Sequence, residues 1–186
     1  MISLLEIIYM LIVTGIIGFI FMDIIFPRRD GLFYYKKRFD WKQFGFAMLV
    51  AAPGVIFHEL AHKFVAMAFG YQASFSVFWF GLFIGVFLKL IKSPFLIIAP
   101  GYVKIFAANI TPLKSAAIAF AGPFVNLCLW LGSWIVLSKA TNLKRTTAIA
   151  LYLTKQINMI LFIFNMIPIP PFDGGKVVLG LVKAIF

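Results

Sequence analysis

The sequence predicts an all-α polytopic membrane protein: about five transmembrane helices and a short C-terminal half-helix, with room for a small embedded strand or hairpin near residues 71–80. Two observations predict this class. The 186 residues are 63% hydrophobic and only 12% charged, with mean hydropathy +1.02, whereas a soluble domain carries about 25% charged residues. Apolar runs long enough for a hydrocarbon core of ~30 Å also recur along the chain, separated by short basic or Pro/Gly-rich pieces. The net charge of +11 then belongs to loops that meet lipid headgroups. It is not a nucleic-acid footprint. No repeat or soluble domain interrupts the pattern, so residues 1–186 read as one membrane-embedded domain with its core at about 43–176.

The first span is 3–26, with Glu6 and Asp23 near its two ends. It lacks the basic start and small-residue cleavage site of a signal peptide, so it reads as a retained helix. The loop that follows carries Arg28, Arg29, Lys36, Lys37 and Arg38, with Lys42 just beyond. The positive-inside rule makes 27–42 cytoplasmic, places the N-terminus outside and assigns the protein to the cell membrane. A second span, about 44–69, contains Pro53, which removes one helical donor, and ends at Gly70. Residues 72–76 alternate weakly, as a short extended piece does. Residues 77–91 and 95–100 together suggest a third span, although Gly81, Gly85 and Pro94 fit a re-entrant hairpin equally. The segment 100–114, with Lys104 and Lys114, reads as a cytoplasmic loop. A fourth span, 115–137, and a fifth, 146–167, flank an external loop with Lys139, Lys144 and Arg145, against the charge rule. Residues 177–186 are too short to cross. Cys128, the single cysteine, reads as a small core residue.

The chemistry starts at His58-Glu59-Leu60-Ala61-His62 in the second span. These are the protein's two histidines, and at i and i+4 they share one helix face. Two imidazoles so placed suit one Zn²⁺, with Glu59, about 100° round the helix, free to act as a general base. The bland alternative is a pair of histidines bonded to backbone carbonyls. Ionisable residues at membrane depth weigh against it. A hydrolytic zinc site takes a third protein ligand, which must be a carboxylate or Cys128. The acidic residues are Glu6, Asp23, Asp30, Asp40, Glu59 and Asp173. Asp173 stands out, because Pro168, Pro170 and Pro171 break the helix before it and Gly174-Gly175 loosen the backbone after it. Lys63 reads as a snorkelling side chain or the partner of a carboxylate.

Three motifs in order, His58-Glu59-Leu60-Ala61-His62, Ala121-Gly122-Pro123 with Asn126, and Asn165-x-x-Pro168-x-Pro170-x-x-Asp173-Gly174, resemble the site-2 proteases, a family of intramembrane zinc metalloproteases. The resemblance implies one zinc per chain on His58, His62 and Asp173, Glu59 as catalytic residue, and Asn165 beside the scissile bond as an oxyanion donor. It also implies transmembrane protein substrates; members often carry a PDZ or CBS domain, and this sequence is expected to be a short form without them. Phe172 replaces the family's usual leucine. Gly122-Pro123 also suits plain close helix approach. Asn126 is assigned to substrate binding, with a bond across helices as the alternative. The rival function is a membrane transporter or sensor that binds a metal without hydrolysis. Glu59, which simple zinc binding does not need, argues against it.

Overall fold

The computed structural model describes residues 2–26, 39–93 and 99–186. The elements run α1 (Leu4–Ile25), α2 (Trp41–Ala68), β1 (Gln72–Val77), α3 (Trp79–Leu90), β2 (Gly101–Phe106), α4 (Pro112–Lys139), α5 (Arg145–Asn165) and α6 (Asp173–Ile185). Local sequence explains their starts. Ser3 and Glu6 form a reciprocal capping box at α1, and Asp40 accepts from Lys42 N–H and Gln43 N–H at α2. Pro112 occupies the first turn of α4, where its missing N–H leaves nothing unpaired. Gly70, at φ +85°, ends α2.

Four of these helices, α1, α2, α4 and α5, are long and apolar enough to cross a membrane. Most large side chains on their outer faces are exposed, Phe57, Phe64, Phe124 and Phe164 among them, as a lipid-facing surface requires. Cys128 is exposed on α4 and is not a core residue. The helix α6 is the expected short terminal piece.

The expected third span is where the structure departs from the sequence reading. Residues 72–77 form β1, as the alternation predicts, but 101–106 are strand rather than loop. The two strands pair antiparallel, and Val77 lies opposite Gly101. The chain between them therefore leaves and returns to one point, with the 12-residue α3 on the way. Residues 94–98 of that expected span lie outside the described residues, as do Arg28, Arg29, Lys36, Lys37 and Arg38.

Removing one crossing reverses every later span. His62 meets Ile118 while His58 meets Asn126, so α2 and α4 run antiparallel. Lys114, near the start of α4, lies over the rings of Phe69 and Tyr71 at the end of α2. At the other end, Leu137 and Arg145 share a groove with Ile25 and Phe26 of α1. Phe26 in turn packs against Phe46 of α2, ring centroids 5.7 Å apart. The connection 140–144 thus lies at the same end as the close of α1 and the start of α2, and β2 with Lys104 belongs to the opposite half. The sequence reading puts residue 104 on the side of 27–42 and 139–145 across from it; the described part of that loop, 39–42, instead lies at the end of 140–144 and away from residue 104, while 27–38 lie outside the described residues. This arrangement also removes the charge-rule conflict, because Lys139, Lys144 and Arg145 join the end that holds Lys42.

Candidate metal centre

Two elements deliver the expected ligands. His58 and His62 lie one turn apart on α2, and both are buried. Asp173 opens α6 after the break at 166–172. The two glycines behind it explain how it gets there. A Cβ on Gly174 would lie 2.4 Å from the Met166 carbonyl oxygen, and one on Gly175 would lie 2.6 Å from the Ile169 carbonyl carbon. Only glycines let the first turn of α6 press against the preceding backbone. That contact swings Asp173 onto α2.

The ligand atoms converge. His58 Nε2 and His62 Nε2 are 3.0 Å apart, and each is 3.2 Å from Asp173 Oδ2. Three corners of a tetrahedron around zinc, with bonds of ~2.0–2.1 Å, are about 3.3 Å apart. The observed triangle matches that spacing. The other carboxylate oxygen, Oδ1, accepts from Lys176 Nζ at 3.3 Å.

The remaining nitrogens of the imidazoles decide their protonation. His62 Nδ1 is 2.7 Å from the Ile118 carbonyl, which can only accept. His58 Nδ1 is 2.6 Å from Asn126 Oδ1. Both Nδ1 atoms therefore carry the hydrogen, and both Nε2 atoms present lone pairs inward. Two such nitrogens and a carboxylate oxygen, all within 3.2 Å of one another, repel unless positive charge lies among them. The donor set N, N, O is one that zinc takes, so the residues present fit the metal. Gly122 keeps the cradle open, since a Cβ there would lie 2.4 Å from His62 Nε2 and 2.7 Å from His58 Nε2. The Gly122-Pro123 motif thus does more than let helices approach: the side chain it omits would fill the space between the ligands.

The other expected residues divide. Glu59 follows His58 on the same helix and is partly buried. Among the described residues no hydrogen bond is made to its carboxylate. Asn165 is the last residue of α5, and its Nδ2 donates to Leu161 O at 2.9 Å, which leaves its second N–H and its oxygen for other partners. Asn126 is fully buried on α4 and bonds across helices. Its Nδ2 donates to Gly54 O and to Asn158 Oδ1, each at 2.9 Å, while its Oδ1 takes the His58 N–H. Of the two readings of Lys63, the structure shows the carboxylate pair: the partner is Glu6 of α1, at 2.5 Å.

Sequence reasoning passed over Asn158 and gave Glu6 no role. The signal for both was an ionisable or amide side chain inside an apolar span.

The model of peptidase family M50 matches residues 45–148 and 130–186, two overlapping stretches that take in His58, His62, Asn126 and Asp173. The chain belongs to peptidase family M50, the site-2 proteases. Among its relatives is a "Putative zinc metalloprotease" of Methanocaldococcus jannaschii, 38% identical over 133 residues, which are 70% of this chain and 68% of the relative. A protein of the same description from Synechocystis is 34% identical over 138 residues, 74% of this chain and 31% of the relative. One from Bacillus subtilis is 33% identical over 78 residues, 38% of this chain and 36% of the relative. The chain thus spans about a third of the latter two.

Proposed function

We propose that this M50 chain hydrolyses peptide bonds within or near the transmembrane segments of membrane-protein substrates, with one zinc held by His58, His62 and Asp173. The observation that carries the proposal is the triangle of two imidazole nitrogens and a carboxylate oxygen at 3.0–3.2 Å beside a carboxylate with no hydrogen bond among the described residues. Bound in that triangle, zinc supplies a Lewis acid that polarises a peptide carbonyl and lowers the pKa of water towards ~7. Glu59 is the general base: one residue from a ligand, it takes a proton from water and returns it to the leaving amine. Asn165 donates its second N–H to the oxygen on which negative charge develops.

A helical peptide bond is shielded by its own hydrogen bonds, so the substrate must be held extended. Strand addition does this. Two strands could offer such an edge, β1 and β2. In the sheet, β1 has β2 on one side, and the Phe75 N–H is already given to Glu6 at 2.6 Å. Among the described residues no strand lies beyond β2. The outer edge of β2, about Gly101–Phe106, is therefore the better platform.

The test is purified full-length protein in detergent with a single-span substrate. Cleavage should stop with a zinc chelator and resume on zinc addition. Cleavage that persists in chelator, or in Asp173→Ala, overturns the proposal. Glu59→Gln separates a transporter or sensor, which keeps its function, from a protease, which keeps zinc and loses cleavage.

A further inference from the structure

Every residue of α5 is described, and one of them is buried: Asn158. The one fully enclosed position of a helix that otherwise packs half-buried against α4 and α2 is thus an amide. Cross-helix amide bonds in a membrane add little stability, because the separated helices find other partners. Packing therefore does not explain the choice.

The hydrogen-bond directions do. Asn158 Nδ2 donates to Thr154 O at 2.8 Å. A backbone carbonyl only accepts, so Asn158 Oδ1 must face the other way, towards Asn126 Nδ2 at 2.9 Å. The second hydrogen of Asn126 Nδ2 goes to the Gly54 carbonyl at 2.9 Å, again an acceptor only. With both hydrogens given, Asn126 can offer His58 only its oxygen, and His58 Nδ1 must carry the proton. The chain of directions starts at two backbone carbonyls and ends at the lone pair of His58 Nε2. His62 reaches the same state in one step, through Ile118 O. Gly54 makes room for the longer route, since a Cβ there would lie 2.7 Å from Asn158 Oδ1.

We infer that Asn158 is a positioning residue for the metal centre: through Asn126 it fixes the tautomer and ring orientation of His58. The inference rests on the zinc reading above, but its test does not need activity. The measurements are Co²⁺ and Zn²⁺ affinity, by chelator competition, and the visible spectrum of bound Co²⁺, on full-length protein in detergent. Asn158→Leu removes the acceptor and fills the space. It should weaken metal binding by roughly 10–100-fold, the usual range for a partner behind a ligand, and change the Co²⁺ spectrum. Asn158→Asp should restore both. A carboxyl buried without a counter-charge stays neutral, so its C=O accepts from Asn126 while its O–H donates to Thr154 O. Gly54→Ala, which pushes a methyl group against Asn158 Oδ1 and leaves both amides in place, should weaken binding as Asn158→Leu does, and it decides the matter if that variant does not fold. Wild-type affinity and spectrum in folded Asn158→Leu, or failure of Asn158→Asp to restore them, overturn the inference. Absence of Co²⁺ and Zn²⁺ binding by the unmutated chain overturns the zinc reading instead.

Discussion

Two glutamates sit within the first two spans, and the fold uses them in opposite ways. Glu6 of α1 is almost fully buried. Its Oε1 takes Lys63 Nζ at 2.5 Å and the Phe75 N–H at 2.6 Å, and its Oε2 takes the Ser3 N–H at 2.7 Å. Glu59 of α2 has no hydrogen bond to its carboxylate among the described residues. Lys63 and His62 are adjacent on α2 and bring these two environments side by side. The Lys63 face is closed: a cation, an anion and two backbone donors satisfy one another, tying α1, α2 and β1 together. The His62 face instead converges: two imidazole nitrogens and the Asp173 carboxylate are aimed at one point, within 3.2 Å of one another. An ionisable group at membrane depth is a functional candidate by default. The lesson of Glu6 and Glu59 is that partner count, read from the structure, separates a structural junction from a reactive one.

The largest effect should come from exchanging each glutamate for its neutral isostere. Glu59→Gln should lower hydrolysis by roughly 10²–10⁴, the range for losing a general base, with zinc content and thermal stability unchanged. Glu6→Gln should keep zinc and lose stability. If the two variants show the same profile, the contrast between the sites is wrong.

Stability measurements sharpen the closed site next. Removing one partner of a buried ion pair costs about 3–5 kcal/mol, because the other charge is left stranded, whereas an apolar replacement of both is often neutral. Lys63→Met alone should therefore lower the unfolding temperature in detergent markedly. Glu6→Leu combined with Lys63→Met should recover most of it. A double variant no better than the single would show that the pair itself, rather than its burial, holds α1.

Asn165 probes the convergent site from the substrate side. Loss of one oxyanion donor lowers kcat by roughly 10²–10³. Asn165→Ala should show that loss in single-turnover cleavage while retaining zinc, and Asn165→Asp should be at least as slow, since its charge repels the developing oxyanion. Cleavage by Asn165→Ala at the wild-type rate would reduce the residue to the bond with Leu161 O already seen.

The smallest perturbation tests where the two faces lie along the bundle. In a Cys128→Ser background, single cysteines at Lys42 and Asn142 should label from the same side of the membrane, and one at Asn109 from the other. Labelling of positions 42 and 109 from one side, with 142 from the other, would restore the extra crossing and contradict the pairing of Val77 with Gly101.

Much of the site was legible because it is local. Four residues between two histidines dictate one helix face whatever the rest of the chain does, and three prolines before Asp173 dictate a break. The long apolar runs likewise declare α1, α2, α4 and α5, since hydrocarbon must be met by hydrocarbon. For Lys63 the same rule left two outcomes, a snorkelling side chain or a carboxylate partner, and only the structure chose the second. What periodicity cannot carry is which distant element occupies the far side of a polar residue. Glu6 is 57 residues from Lys63, and Asn158 is 32 from Asn126; nothing in either local pattern names the other. The return of 77–101 was hidden for a related reason. An apolar stretch that turns back inside protein has the composition of one that crosses, and only its strand pairing distinguishes them. The candidate ligands were thus legible from spacing and helix breaks along the chain. Their tautomers, the closed ion pair and the side on which each loop emerges were set by packing between helices far apart in sequence.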